Sequence, residues 1–193
     1  HSGKTVCRNT AITEIKVLGV IVREAMRRGF VVTNPCERLN LARDPAKEKP
    51  ELTEAEIALI RIECARRETA LPLDAQWMTT SFEIALHTLC RLRSTEVPMH
   101  LVNFQRDEIT LRVKGRRNGE PRWLTVPIHP DLRPRLLALR DAGAVHTCRL
   151  PRMAAKEWWA LRQKLKIGHT CFHSTRVTGI TRLWRAGVGE SFA

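Results

Sequence analysis

Tyrosine is absent from all 193 residues. Any chemistry that needs a phenol hydroxyl must therefore find one outside this sequence. No apolar run approaches the length of a membrane span, which excludes a helical anchor as the organising feature. The opening His1-Ser2-Gly3-Lys4 has neither an initiator Met nor an apolar signal core, so it reads as the edge of a fragment, and secretion finds no support. Internal repeats and low-complexity tracts are also missing. The six cysteines, Cys7, Cys36, Cys64, Cys90, Cys148 and Cys171, lack the dense spacing of a disulfide scaffold and read as reduced cytosolic thiols.

What is present is basic charge, and it is localised. Lys and Arg number 33 against 20 Asp and Glu, a formal net charge of +13. Residues 112–185 hold 17 Lys/Arg and 4 Asp/Glu, and the remainder of the chain is neutral, with 16 of each. A solubility charge would be spread along the chain, whereas a face that binds a polyanion concentrates it, so nucleic acid is the expected partner. Hydrophobic residues at 43% supply enough apolar surface for a core and argue against a disordered basic tail. The length suits one domain, or one plus part of another.

Periodicity divides the chain. Ile12, Ile15, Leu18, Val22, Ala25 and Met26 recur at helical steps, and Gly29 stops that helix after Arg27-Arg28. Asn34-Pro35 marks a turn, and the polar, two-proline stretch Asp44–Pro50 reads as a linker. Thr53-Glu54-Ala55-Glu56 has the form of a capping box, predicting a helix to about Arg67. Asp74 is a plausible cap for a second helix through Trp77, Phe82, Leu86 and Leu89. The period then changes: Glu108–Val113 and Arg122–Pro127 alternate about the turn residues 114–120, predicting a β-hairpin. Helical patterns return at 131–141, 153–166 and 173–186, the last closed by Gly187. The fold class expected is α+β, mainly helical, with a small antiparallel sheet.

Three pieces stand out within this frame. Thr88-Leu89-Cys90-Arg91 lies near a helix end, Lys114 sits at the mouth of the basic hairpin, and His173-Ser174-Thr175-Arg176 opens the last helix, which ends in Ala186-Gly187-Val188. In that order and with those separations they resemble the tyrosine recombinase (phage integrase) family. Arg27-Arg28-Gly29-Phe30 with Asn34-Pro35 is similar to the end of that family's core-binding domain, and Leu52-Thr53-Glu54-Ala55-Glu56 to the start of its catalytic domain. The resemblance implies a core-binding remnant over 1–43, a linker over 44–51 and a catalytic domain over 52–193.

The residue set has a physical sense of its own. In-line attack on a phosphodiester builds charge on two non-bridging oxygens, and two guanidinium forks, Arg91 and Arg176, can clamp them. Lys114, with Arg112, Arg116 and Arg117 close in sequence to lower its pKa, can protonate a departing 5′-oxygen. His173, three residues before Arg176, can share its helical face and reach the same phosphate. Arg112, Arg116, Arg117 and Arg122 are the expected DNA-backbone contacts. Arg93 is the alternative first arginine. It puts Glu96 at the acidic position the family often has three places on, where Arg91 puts Ser94, but Thr88-Leu89-Cys90 and Val97-Pro98 favour Arg91.

What the resemblance adds is cleavage of one DNA strand through a 3′-phosphotyrosyl bond and rejoining to another 5′-hydroxyl, with no metal or nucleotide cofactor, as a tetramer on duplex DNA in the cytoplasm, associated with the nucleoid when bound. The nucleophile is where this chain departs from the family, which places its tyrosine downstream of the A-G-V turn; truncation before that residue is the expectation, and such a fragment is inactive alone. The alternatives are a non-catalytic DNA-binding or regulatory protein on the same scaffold, and an unrelated basic helical nucleic-acid binder. His146, Cys148, His169, Cys171 and His173 could offer zinc ligands, but their spacing matches no common zinc module. Trp123, Trp158, Trp159 and Trp184 are expected to pack in the core or along the DNA backbone rather than to stack on bases.

Overall fold

The computed structural model describes residues 7–39, 41–45, 50–113 and 122–188. The chain divides into two compact units, His1–Glu48 and Lys49–Ala193. In the first, helix α1 (Arg8–Arg27) ends where Gly29 takes φ 77°, a left-handed conformation that glycine adopts without a Cβ clash. Ile12 is buried, but Leu18, predicted for the same apolar face, is half-exposed together with Val17, Val20 and Ile21. Asn34 folds the segment after α1 back onto the helix: its Oδ1 accepts the Cys36 N–H at 2.9 Å and its Nδ2 donates to the Gly19 carbonyl at 3.4 Å.

The second unit opens with α2 (Glu54–Glu68), whose capping box forms as the sequence predicts. Glu56 N donates to Thr53 Oγ1 at 3.2 Å, and Thr53 N donates to Glu56 Oε2 at 2.8 Å. Helix α3 (Trp77–Thr88) follows, but Asp74 does not cap it. Asp74 lies in a 3₁₀ turn, Leu73–Ala75, two residues before Gln76, which occupies the N-cap position of α3. Glu68, arriving from the end of α2 and almost fully buried, takes that role: its carboxylate accepts Met78 N at 2.7 Å, Thr79 N at 3.0 Å and Thr79 Oγ1 at 2.6 Å. A negative group at a helix N-terminus satisfies orphan amides and opposes the helix dipole.

Short 3₁₀ turns at Leu92–Thr95 and Met99–Leu101 lead into a three-stranded antiparallel sheet in the order β1 (Val102–Asn103), β2 (Glu108–Val113), β3 (Arg122–Pro127). The hairpin register pairs Ile109 with Val126 and Arg112 with Trp123. Strand periodicity sends Ile109 and Leu111 inward and Arg112 outward. Helices α4 (Arg133–Asp141), α5 (Ala154–Lys164) and α6 (Ser174–Arg185) complete the unit.

One apolar cluster joins Ile109 and Leu111 of the sheet to Leu136 and Leu139 of α4 and Ile84 of α3. A second joins Ile57 and Ile60 of α2 to Phe82 of α3 and Trp158 and Leu161 of α5. Phe172, in the loop before α6, packs against both, so it ties the α6 entry to the whole core. All six cysteines are free.

Candidate active site

The local structure at the end of α3 determines where Arg91 stands. Leu89 ends the helix at φ 57°, in the left-handed region, and its N–H still bonds the Ala85 carbonyl at 3.0 Å. A left-handed residue turns the chain sharply and costs a non-glycine side chain on the order of 1–2 kcal/mol. The turn carries Arg91 out of the helix into an exposed, extended conformation at the head of the 92–95 turn. Cys90, between the two, is buried, and that burial pushes its thiol up to about 11, with the Arg176 charge acting in the opposite sense.

Helix α6 brings Arg176 to the same place. Its Nη1 donates to the Leu89 carbonyl at 3.2 Å, across 87 residues of sequence. The approach is close because of Gly179, one turn further along α6. A Cβ there would lie 1.8 Å from Leu89 Cδ2 and 3.3 Å from the Leu86 carbonyl. Arg176 is partly buried, so its guanidinium is fixed beside the segment that presents Arg91.

His173 stands at the residue preceding α6, partly buried, with φ −67° and ψ −15°. The entry to α6 is locked by short polar contacts: Cys171 N donates to Ser174 Oγ at 3.1 Å and Thr175 Oγ1 donates to the Phe172 carbonyl at 2.7 Å. Ser174 and Thr175 therefore turn inward, and neither caps the helix by the usual N-terminal side-chain bond. His169, earlier in the same loop, meets the capping-box carboxylate of Glu56 at 2.9 Å.

Lys114, Arg116 and Arg117 lie outside the described residues. Arg112 and Arg122 are exposed on the hairpin, Arg112 opposite Trp123 and Arg122 opposite Val113. Thus the structure brings Arg176 to the Leu89–Arg91 turn, sets His173 at the start of the Arg176 helix, and leaves Arg112 on the central strand and Arg122 on the edge strand β3.

Two features escape sequence reasoning. A cavity of about 250 Å³ opens beside the hairpin, lined by Arg93, Glu96, Thr110, Arg112, Trp123 and His146. His87 and His129 stack with centroids 4.2 Å apart, and with Asp131 they form the group of potential metal ligands found among the described residues. Alternation predicts the strand that carries Trp123 but neither its half-exposure nor its place opposite Arg112, and His146 and His129 come from loops whose placement no periodicity encodes.

No protein-family model matches the chain, and no curated protein matches it. Solved structures do. The integrase of the Tn1549 transposon, in complex with circular intermediate DNA, superposes with a TM-score of 0.67 at 16% identity over 96% of this chain and 69% of its own. A lambda integrase tetramer bound to a Holliday junction gives 0.62 at 16% identity, over 96% and 59%. The integrase of mycobacterium phage Brujita gives 0.52 at 15%, over 97% and 62%. In fold, the chain is similar to these integrases.

Proposed function

We propose that the chain is part of a tyrosine recombinase that cuts and rejoins duplex DNA at specific sites through a 3′-phosphotyrosyl intermediate. Arg91 and Arg176 clamp the non-bridging oxygens of the scissile phosphate, His173 hydrogen-bonds or exchanges a proton at the same phosphate, and Lys114 protonates the leaving 5′-oxygen. The attacking hydroxyl comes from outside these 193 residues, which contain no tyrosine. Residues 52–193 supply the catalytic region, residues 1–43 the end of a core-binding region and 44–51 the link between them. The DNA backbone is held by the basic 112–185 segment, including Arg112, Arg116, Arg117 and Arg122, and copies of the protein assemble as a tetramer on it. No metal enters the reaction.

The observation that carries this reading is the Arg176–Leu89 hydrogen bond, which seats one guanidinium on the turn that presents the other. Neighbours of the same fold are bound to DNA, in keeping with the charge. The absence of tyrosine favours a second reading, a non-catalytic DNA-binding protein on the same scaffold.

A nicked suicide duplex separates the two when incubated with the protein expressed from the whole open reading frame. A covalent protein–DNA adduct, lost in Arg91→Ala and Arg176→Ala, supports the recombinase. Tight binding without an adduct supports the binder.

A further inference from the structure

The cavity beside the hairpin has a composition that a bare phosphate site would not need. Its cations, Arg93 and Arg112, share the lining with the carboxylate of Glu96, and Trp123 contributes a large aromatic surface. Trp123 is 49% exposed although it sits within a regular strand, so much of its ring lies in water. Trp158, by contrast, is buried against Phe82 and Phe172. At about 250 Å³ the cavity falls below the roughly 300–1,000 Å³ typical of sites for drug-sized ligands, which limits the occupant to about one ring system.

We infer that this cavity holds a single unstacked nucleobase of the bound DNA, with the amine-bearing bases favoured over thymine, in a deepening of the DNA reading above on which it rests. An aromatic face inside a concavity can be covered only by a base that has left its stack, because a paired base offers just its edge. Glu96 accepts hydrogen bonds and donates none, so it suits the amine-bearing Watson–Crick edges of unpaired cytosine, adenine and guanine and opposes thymine, whose single N3–H lies between two carbonyl oxygens. Arg93 and Arg112 lie where the phosphates flanking that nucleotide can be neutralised, and Arg93 is two residues from Arg91, which places the pocket next to the phosphate clamp.

The wall of the cavity is built in advance. Residues 97–99 pair with 145–147 through Thr147 N to the Val97 carbonyl at 2.8 Å and Met99 N to the Val145 carbonyl at 2.9 Å. The fully buried Thr147 adds a bond from Val97 N to its Oγ1 at 3.0 Å. Pro98 and His146 form the bridge between these segments, and both line the cavity. Arg93 Nη2 is held by the Arg152 carbonyl at 3.3 Å. A site with fixed walls binds without the entropy of ordering them.

The test is equilibrium binding of the 193-residue chain to duplexes that carry one unpaired nucleotide, dA, dC, dG or dT, and to the fully paired parent. The unpaired dA, dC and dG duplexes are expected to bind roughly 5- to 100-fold more tightly than the parent, and the dT duplex less tightly than those three. Trp123→Ala should remove that advantage, and Glu96→Gln should level the four bases. Both side chains are exposed, so the variants should fold, which circular dichroism checks; Trp184→Ala, an exposed tryptophan elsewhere, should retain the preference. Duplex binding that ignores the unpaired base, or a preference that survives Trp123→Ala, overturns this inference alone. Failure to bind any duplex overturns the DNA reading and this inference with it.

Discussion

Leu89 fills the space that a side chain at Gly179 would need: a Cβ there would lie 1.8 Å from Leu89 Cδ2. The two residues set the separation between the end of α3 and α6, and therefore between the Arg91 turn and Arg176. Gly179→Ala is expected to destabilise the protein by about 1–3 kcal/mol through overpacking. Leu89→Gly should restore much of that loss in the double variant, since it frees the space and removes the left-handed strain. Urea denaturation of the four species measures the coupling; additive effects would mean that the contact does not control the spacing.

Arginine-to-lysine changes at the proposed phosphate clamp separate charge from shape. Arg91→Lys and Arg176→Lys keep the charge but lose the two-pronged geometry, so each should weaken duplex binding about tenfold with an unchanged salt slope. The alanine variants should also lower the slope of log affinity against log salt by about 1. Titration of fluorescent duplex at several salt concentrations reads both quantities.

Glu68→Ala removes the acceptor of three donors at the start of α3. Leaving buried amides unsatisfied should cost about 1–3 kcal/mol, seen as a lower thermal midpoint. Asp74→Ala should leave the midpoint nearly unchanged, because Asp74 lies outside the helix N-terminus.

Burial of Glu83 favours its neutral form, but the paired hydrogen bonds from Arg61, at 2.7 and 2.9 Å, and the nearby His87 outweigh that and bring its pKa down to about 2. A carboxyl depressed in the folded state contributes stability above its unfolded pKa near 4.5 and loses it as pH falls from there to about 2. Glu83→Gln should therefore be less stable than the parent at pH 7, with the difference shrinking over that window. Chemical denaturation at pH 7, 4 and 2.5 checks the sign.

Thiol labelling offers a separate probe of the fold. Burial pushes Cys90 up to about 11 and Cys148 up to about 12, while hydrogen bonds from Thr10 lower the exposed Cys7. At pH 8 a thiol reagent should modify Cys7 rapidly and reach Cys90 and Cys148 only on unfolding. Mass spectrometry of partially labelled protein identifies the order.

The sequence announced its elements more clearly than their ends. The capping box of Thr53 and Glu56, the hairpin and the Gly187 stop, at φ 84°, are local chemistry, and each appears where its residues predict. The cap of α3 is Glu68 rather than Asp74, and no local pattern predicts it, because Glu68 is ten residues from Met78 and belongs to another helix, so only tertiary packing brings it there. Leu89 is a poor advertisement for a left-handed turn, since leucine gives no hint of positive φ. For the site, the arginine, histidine and lysine positions could be picked out as an ordered pattern, but the contact between Leu89 and Arg176 spans 87 residues and no spacing rule encodes it. Trp123 shows the same limit: its alternating strand was legible, its half-open cavity was not.

The segment that enters the second unit is stitched to α6. Leu52 N donates to Thr178 Oγ1 at 2.7 Å, Glu51 pairs with Arg185, and Glu54 with Arg182. Thr178 lies two residues beyond Arg176, so these bonds make residues 51–54 and the arginine-bearing helix a single mechanical piece. The start of the second unit is thus tied directly to the Arg176 helix, by contacts that bypass the intervening helices.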